Sequence, residues 1–387
     1  MTRILLITRN LPPLVGGMER LNWHMAKELS AHAAVRIIAP KGSAAYAPAG
    51  VEIIEVPLHP LWKFLVHAQW RALREARRWR PEVVLACSGL TAVPALLAAR
   101  AASVRAIAYV HGLDLTVPHF VYRKLWLPAL RYMDRVIANS RATAALAEHV
   151  GVQTVRIGIV HPGVAIPQNL ADEQAIARFC AEYDLGKRPL LLSVGRLSAR
   201  KGLREFVTNA LPYIIVRHPH LILLIAGEAP SDALHAQTQT PESIHEAAKH
   251  VGVADNVRFL GRLTDAELGT AYDAANVHVF PVREISGDME GFGMVAIEAA
   301  AHGLPTVAFA TGGVVEAVED GQSGHLIAPG DYHAFADAVL QTLANKDTLR
   351  ASCITFARRF AWPNFGEQIH AQVMGMTAPP SSSNTSA

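Results

Sequence analysis

Short apolar runs with the composition of β-strands alternate with helical stretches along almost the whole chain. This alternation predicts parallel sheets, because neighbouring parallel strands must be joined by a connection that crosses the sheet, usually a helix. A charged, irregular stretch at 168–188 interrupts the pattern, which then restarts, so we expect two doubly wound α/β domains. The predicted strands are 4–8, 34–39, 83–87, 106–111 and 135–139 before the interruption, and 190–194, 221–226, 257–260, 277–280 and 306–309 after it.

The length of the chain agrees with two domains. Its 387 residues, 51% of them hydrophobic, exceed one ordinary core and suit two domains of about 150 to 200 residues each. Ligands of doubly wound sheets bind beyond the carboxyl ends of the strands, so we expect the domains to face each other across a cleft that holds the site. The predicted divisions are an N-terminal domain at 1–166, a C-terminal domain at 167–358, a helix at 359–376 that returns to the N-terminal domain, and a disordered tail at 377–387.

Charge and cysteine content restrict the class of protein. A formal net charge of +3 argues against a general nucleic-acid binder, and we expect no nucleic-acid partner. The three cysteines, Cys87, Cys180 and Cys353, are far apart and show no metal-ligand spacing, which favours a reducing compartment. No secretion signal fits before the first strand, and every apolar run is shorter than the roughly 20 residues of a membrane span. We therefore expect a cytoplasmic protein.

The segment 290–298 reads E-G-F-G-M-V-A-I-E and predicts a sugar-nucleotide site. A helix that begins near Gly293 would direct the amides of the preceding loop at a diphosphate, with Glu290 facing the sugar hydroxyls. Eight positions at a helical rise span roughly 12 Å, which would let Glu298 accept from ribose hydroxyls. Glu298 has little polar company in the sequence, and an unpaired buried carboxylate is costly. The candidate residues of this segment are Glu290 for catalysis, and Gly291, Phe292, Gly293, Met294, Val295 and Glu298 for donor binding.

A second motif, G-R-L-S-A-R-K-G, follows the predicted strand 190–194. It places cations and a glycine where a diphosphate would lie, beyond the carboxyl end of a strand. Arg196 offers a fork that matches phosphate oxygens and Lys201 offers a point charge, so both could stabilise a leaving nucleotide next to Gly195. The alternative interpretation is a solvated basic turn.

Together, G-R-L-x-x-R-K-G and E-G-F-G-x-x-x-x-E resemble the retaining GT-B-fold glycosyltransferases of family four, over nearly the whole chain. The resemblance implies a GT-B fold of two Rossmann-like domains and transfer of a hexose from a nucleotide sugar. Gly16 and Gly17 resemble the first glycine-rich loop of the family, which approaches the donor phosphates. His111-Gly112-Leu113-Asp114 resembles the histidine motif, which reaches the donor sugar. The catalytic candidates are therefore Arg196, Lys201, Glu290 and His111.

Donor and mechanism follow from the same resemblance. The segment Ser286-Gly287-Asp288-Met289, directly before Glu290, is similar to the corresponding segment in the branch of mannosyltransferases that act on phosphatidylinositol or on polysaccharide intermediates. This similarity favours GDP-mannose over a UDP-linked donor. No two aspartates stand two apart, so the D-x-D metal clamp is absent, and we expect no metal and no cofactor besides the donor. No convincing nucleophile is present. The resemblance implies front-face attack with retention, in which the departing phosphate takes the proton of the acceptor.

The segment 62–80 predicts a surface for an anionic membrane. It contains six cationic residues and one glutamate, with tryptophans beside a helical stripe of His67, Arg71, Arg74 and Arg78. We expect peripheral contact with the inner face of the cytoplasmic membrane and a glycan or lipid-linked acceptor. The segment 120–126 repeats the mixture. The alternative is an ordinary amphipathic helix with a solvated basic face.

Two other functions fit the same fold. An isomerase, such as a UDP-N-acetylglucosamine 2-epimerase, needs several acid and base groups around the sugar, and the order of the motifs argues against it. A non-catalytic sugar-nucleotide-binding subunit would be expected to have lost Arg196, Lys201 or Glu290, and all three are present. The leading prediction is a hexosyltransferase that builds a cell-envelope polysaccharide or glycolipid.

Overall fold

The computed structural model describes residues 1–229 and 238–375, which form two compact units. Unit 1 comprises Met1–Gly163 and the chain from Trp362 onward, and unit 2 comprises Val164–Ala361. The chain leaves unit 1 after Gly163 and re-enters it at Trp362, whereas the sequence placed these divisions after 166 and 358. The predicted disordered tail at 377–387 lies outside the described residues.

Unit 1 is built on a sheet of seven parallel strands. The strands are β1 (Arg3–Ile7), β2 (Ala34–Pro40), β3 (Glu52–Val56), β4 (Val83–Ala86), β5 (Arg105–Val110), β6 (Arg135–Ala138) and β7 (Ile157–Ile159). Their order in the sheet is β3-β2-β1-β4-β5-β6-β7, so the direction of winding reverses between β1 and β4. The helices are α1 (Gly17–Ser30), α2 (Leu61–Arg78), α3 (Ala92–Ala102), α4 (Leu113–Thr116), α5 (Leu127–Leu130) and α6 (Arg141–His149).

Unit 2 repeats this architecture with a sheet of six parallel strands. The strands are β8 (Leu190–Val194), β9 (Ile222–Ala226), β10 (Val257–Gly261), β11 (Val277–Phe280), β12 (Thr306–Phe309) and β13 (Gly324–Ile327). Their order is β10-β9-β8-β11-β12-β13, which reverses between β8 and β11. The helices are α7 (Glu173–Glu182), α8 (Leu203–Asn209), α9 (Leu211–Arg217), α10 (Pro241–His250), α11 (Asp265–Ala274), α12 (Met294–Ala301), α13 (Val314–Ala317), α14 (Tyr332–Ala344) and α15 (Lys346–Arg358).

The predicted two-domain parallel α/β fold is confirmed, but three strands were not predicted. These are β3, β7 and β13, and each lies at an edge of its sheet. A central parallel strand is covered by helices on both faces and reads as a continuous apolar run, as all five residues of β9 do. An edge strand is less covered, and β3 accordingly reads E-I-I-E-V with only its last residue buried. The apolar signal is therefore weakest at the edges.

The last helix, α16 (Trp362–Met374), belongs to unit 1, as the sequence predicted. At its start, the ring of Trp362 stacks on His24 of α1 with the centroids 3.8 Å apart. At its end, Arg105 donates to the carbonyl of Val373 at 2.8 Å, which supplies a cation to the negative end of the helix. These contacts make α16 part of the core structure of unit 1.

No helix in the described ranges combines the length and the apolar composition that crossing a membrane requires.

Candidate functional site

Both sequence motifs of unit 2 lie at the point where the winding of its sheet reverses. The motif that starts at Gly195 follows β8, and the loop that contains Glu290 follows β11. These two strands are neighbours, and the connections that follow them lead to opposite sides of the sheet. In open α/β sheets such a reversal leaves a crevice at the carboxyl ends of the strands, where ligands bind. The topology therefore brings the two motifs to one place.

The side chains of Lys201 and Glu290 form an ion pair at this place. Lys201 Nζ donates to Glu290 Oε2 at 2.8 Å, and the two side chains are 13% and 12% exposed. Lys201 Nζ also lies 4.6 Å from the centroid of the Phe280 ring, at the end of β11. The pair links residues that are far apart in the sequence and fixes the cationic motif to the acidic one.

A second cation, Arg200, completes this cluster. Its Nη1 donates to Asp288 Oδ1 at 2.8 Å, and its Nε lies 3.3 Å from Glu290 Oε2. Arg196, by contrast, has an exposed side chain. Sequence reasoning selected Arg196 and Lys201 and missed Arg200, because the motif does not show which cation turns inward. The short helical turn at Ala199–Lys201 directs the side chain of Arg200 inward.

The charges of this cluster stabilise one another. Burial raises the pKa of Glu290, but the positive charges of Arg200 and Lys201 outweigh that effect and lower it to about 2. Burial lowers the pKa of Lys201, and the attraction of Glu290 opposes this. Glu290 is therefore a carboxylate at neutral pH, able to accept hydrogen bonds.

The glycine-rich loop before α12 has the form that the sequence predicted. Gly293 is the N-cap residue with φ 97°, and α12 begins at Met294. A Cβ on Gly293 would lie 2.9 Å from the ring of Phe280, so both the backbone angle and the close packing favour glycine. The first N–H groups of the helix, beginning with Met294 and Val295, have no acceptor within it and carry the positive end of its dipole.

Gly312 and Gly313 pack against the main chain of this loop. The amide of Gly313 donates to the carbonyl of Glu290 at 2.9 Å. A Cβ on Gly313 would overlap the carbonyl oxygen of Gly291. Phe292 is 2% exposed and packs in the core, so any donor contact by this residue would involve its main chain. The loop is thus fixed on two sides.

Glu298 has a polar contact that its neighbours in the sequence did not indicate. The hydroxyl of Tyr272, a residue of α11, donates to Glu298 Oε2 at 3.2 Å. The Tyr272 ring stacks on His302, whose Nδ1 lies 2.8 Å from Asp273 Oδ1. α11 therefore supplies Glu298 with a hydrogen-bond partner from a distant part of the sequence.

His111 lies in unit 1, at the end of β5. Its Nε2 lies 2.9 Å from the carbonyl of Cys87, which only accepts, so Nε2 carries the proton and Nδ1 is an acceptor in the neutral ring. Asp114 accepts from the amides of His111 and Gly89 at 2.9 Å and 2.8 Å. The histidine motif therefore joins the ends of two neighbouring strands, β4 and β5.

The glycine pair of unit 1 lies at the start of α1. Gly16 is the N-cap residue and Gly17 the first residue of the helix. A Cβ on Gly16 would lie 2.5 Å from Glu19 Oε2, and Glu19 Oε1 accepts from Asn10 at 2.6 Å. A carboxylate of the chain itself thus lies beside this loop.

Metal ligands do not cluster in the described ranges: no group of three or more His, Cys, Asp or Glu side chains is placed to hold an ion. Cys87, Cys180 and Cys353 are free thiols, not joined in disulfide bonds. Burial raises the pKa of Cys87 and Cys353 to about 12. These thiols are protonated at neutral pH and are poor nucleophiles.

Two family models match the chain. The model described as "Glycosyl transferases group 1" matches residues 181–360, and the model described as "Glycosyltransferase Family 4" matches residues 15–166. The first match spans the Lys201–Glu290 cluster of unit 2, and the second spans His111 of unit 1.

Curated relatives match over most of the chain. A protein of Mycobacterium tuberculosis named "GDP-mannose-dependent alpha-(1-6)-phosphatidylinositol monomannoside mannosyltransferase" is 30% identical over 370 residues, covering 90% of each chain. A protein of Mycolicibacterium smegmatis with the same name is 29% identical over 378 residues, covering 92% of each chain. "D-inositol 3-phosphate glycosyltransferase 2" of Catenulispora acidiphila is 33% identical over 240 residues, covering 59% of this chain and 53% of the relative.

Solved structures share the fold. Anabaena HepE in complex with UDP-glucose has a TM-score of 0.78 and 19% identity, covering 97% of this chain and 100% of that one. WaaG, described as a glycosyltransferase involved in lipopolysaccharide biosynthesis, has a TM-score of 0.68 and 17% identity, covering 96% of this chain and 100% of that one. Both family models and the near full-length relatives agree with the GT-B fold of these structures. The chain therefore belongs to the group 1 glycosyltransferases of family 4 and is a hexosyltransferase.

Proposed function

We propose that this protein transfers a hexose, with retention of configuration, from a nucleotide sugar to a glycan or lipid-linked acceptor in cell-envelope polysaccharide or glycolipid synthesis. The observation that carries the proposal is the mostly buried Lys201–Glu290 ion pair at the carboxyl ends of β8 and β11. GDP-mannose is the favoured donor, since the near full-length relatives are named as GDP-mannose-dependent mannosyltransferases.

The roles of the residues follow from their chemistry. Arg196, Lys201 and the amides at the start of α12 bind the diphosphate, Glu290 binds the sugar, and Glu298 binds the ribose. Lys201 has three N–H donors, so it can keep Glu290 and still donate to a phosphate oxygen. Glu290, held as a carboxylate, accepts from sugar hydroxyls. In this scheme the cationic side chains of the protein neutralise the charge on the leaving nucleotide. We therefore propose that no metal ion is needed.

Retention is proposed to proceed by front-face attack. The acceptor hydroxyl attacks the anomeric carbon as the bond to the nucleotide phosphate breaks, and the acceptor proton passes to an oxygen of that departing phosphate. The chain orients the two substrates and neutralises the developing charge. His111 of unit 1 is assigned to the donor sugar, with its ring oriented by Cys87.

The surface of α2 supports peripheral contact with an anionic membrane. Trp62, Val66 and Trp70 recur at helical spacing and are 61%, 58% and 53% exposed, while the opposite face of the helix is buried. Lys63 lies over the ring of Trp62, and Arg71 over that of Trp70. Exposed aromatic rings beside cations suit an anionic lipid surface, where the rings enter the interface and the cations meet the headgroups.

The membrane contact is tested with vesicles. The W62E/W70E variant should lose co-sedimentation with phosphatidylglycerol vesicles, whereas V216E, at a 79% exposed position of unit 2, should keep it. Equal binding of the wild type to phosphatidylcholine vesicles, or unchanged binding of W62E/W70E, would refute this assignment.

The transferase proposal is tested with a panel of UDP- and GDP-sugars in the presence of EDTA. A donor that raises the melting temperature and is slowly hydrolysed supports a metal-independent transferase and identifies its donor. No response to any donor would overturn the proposed function. Turnover that stops in EDTA and returns with Mg²⁺ would overturn metal independence alone.

A further inference from the structure

Arg200 contacts three successive residues of the loop that ends in Glu290. Its Nη1 donates to the side chain of Asp288 at 2.8 Å and to the carbonyl of Met289 at 3.0 Å. Its Nε lies 3.3 Å from the Glu290 carboxylate. The residue is 7% exposed. A buried, planar guanidinium group with these contacts fixes the direction of the loop and also neutralises negative charge on it.

The backbone of Arg200 is fixed as firmly as its side chain. Its carbonyl accepts from the amide of Arg283 at 2.8 Å. Gly202, two residues later, has φ 67°, and a Cβ there would overlap the carbonyl oxygen of Pro281. The turn after β8 and the start of the loop after β11 are therefore in direct contact. Arg200 extends from this rigid contact toward the distal part of the loop.

Asp288 determines how Arg200 and Lys201 share Glu290. Both cations approach the same oxygen, Glu290 Oε2, at 3.3 Å and 2.8 Å. Asp288 binds Nη1 at the end of the Arg200 guanidinium. Lys201 therefore makes the shorter of the two contacts with Glu290. Two cations and two carboxylates thus balance in charge, and each carboxylate has its own nearest cation.

We propose that Arg200, held by Asp288, is a positioning residue that sets the place of the Glu290 carboxylate. The proposal rests on the proposed function, in which Glu290 contacts the donor sugar and Lys201 contacts the diphosphate. Arg200 touches neither the sugar nor the nucleotide in this scheme. Its loss should therefore slow transfer while the affinity for the nucleoside diphosphate is retained.

The test compares R200M, R200K and the exposed control R204M, whose native side chain is 54% exposed on α8. We expect R200M to lower kcat at least tenfold, with the Kd for GDP and for UDP changed less than twofold. R200K keeps the charge but loses the planar fork, so it should remain at least fivefold below the wild type in kcat. R204M should match the wild type. The double variant R200M/D288N should be no slower than R200M, because the two side chains act as one unit.

Two results of the kinetic and binding measurements would overturn the positioning role. A tenfold loss of GDP or UDP affinity in R200M would make Arg200 a phosphate ligand, and full activity of R200K would reduce its role to charge. Amide hydrogen exchange provides a readout that does not depend on activity. Exchange in the segment 286–291 should rise at least tenfold in R200M and stay at the wild-type rate in R204M. If no donor supports transfer, the proposed function fails, while unchanged exchange in R200M overturns the positioning role by itself.

Discussion

At the scale of single residues, the cluster in unit 2 is defined by which charges face each other. Glu290 is shared between Lys201 and Arg200 within a mostly buried volume. Removing one partner from such a group leaves the others buried and incompletely neutralised, so substitutions that keep shape are more informative than truncations.

The first prediction concerns the charge of Glu290. E290Q should lower kcat by about 100-fold or more, because an amide cannot replace a carboxylate that accepts from sugar hydroxyls as transfer proceeds. Affinity for GDP or UDP should stay equal or increase, since Lys201 is released from its ion pair. Transfer rates and calorimetric titration measure the two effects. E284Q, at an exposed position of the same loop, is the matched control, and wild-type turnover by E290Q would remove Glu290 from the mechanism.

The second prediction concerns Lys201. K201A should weaken nucleoside diphosphate binding by about 10- to 100-fold, the value of a charge-assisted contact of roughly 1.5 to 3 kcal/mol, and should also lower kcat. The exposed Lys187 provides the control variant K187A. Steady-state kinetics and titration with GDP and UDP separate binding from turnover, and unchanged values for K201A would exclude contact with the diphosphate.

The sequence singled out Lys201 and Glu290, which the structure brings together, but it did not indicate their partners. Lys201 and Glu290 stood out because their residue types and neighbours suit phosphate and sugar binding. The pairing of Arg200 with Asp288, and of Tyr272 with Glu298, joins separate elements and depends on the direction of side chains. Those directions follow from packing, which no local pattern in the sequence records.

At the scale of secondary-structure elements, the loop before α12 is the part of unit 2 whose shape depends most on its neighbours. It lies between the ring of Phe280 on one side and Gly313 on the other. The sequence predicted the start of α12 correctly, because a glycine before an apolar helix is a local signal. It did not predict β3, β7 and β13, whose edge positions reduce the burial that makes strands recognisable.

The third prediction concerns this loop. Gly313 has an ordinary backbone angle, so G313A acts by steric overlap alone, with the main chain of Gly291 and Phe292. The substitution should displace the Glu290 loop, lower kcat/KM at least tenfold and cost about 1 to 3 kcal/mol of stability. G186A is the control: Gly186 has φ 59° with open space around it, so it should lose stability through backbone strain and keep activity. If G313A keeps wild-type kcat/KM, the loop does not depend on this contact.

At the scale of the whole molecule, each unit contains a histidine whose pKa is strongly lowered. Burial, with smaller contributions from Lys27 and Arg20, lowers the pKa of His24 in unit 1 from 6.5 to about 4. Burial and the charge of Lys201 lower that of His278 in unit 2 from 6.5 to about 3. Both rings are therefore neutral in the folded protein at neutral pH.

The fourth prediction is a loss of stability in acid. Below pH 6.5 the unfolded chain binds protons at these histidines, while the folded chain binds them only near pH 4 and pH 3. Stability should therefore fall as the pH drops from 6.5 to 4 for unit 1 and to 3 for unit 2. In H24F, which keeps a ring against Trp362, calorimetry should show a smaller drop in melting temperature between pH 7 and pH 4. An identical drop in wild type and H24F would contradict the assignment.

The two crossings of the chain, after Gly163 and before Trp362, also determine the order in which the protein can fold on the ribosome. Unit 2 is one continuous stretch and can fold as soon as it has left the exit tunnel. Unit 1 emerges before unit 2 but lacks α16, so the surface of α1 that receives Trp362 stays uncovered until α16 is made. Unit 1 is thus completed only after unit 2 has been synthesised, and until then the uncovered surface of α1 is exposed to aggregation.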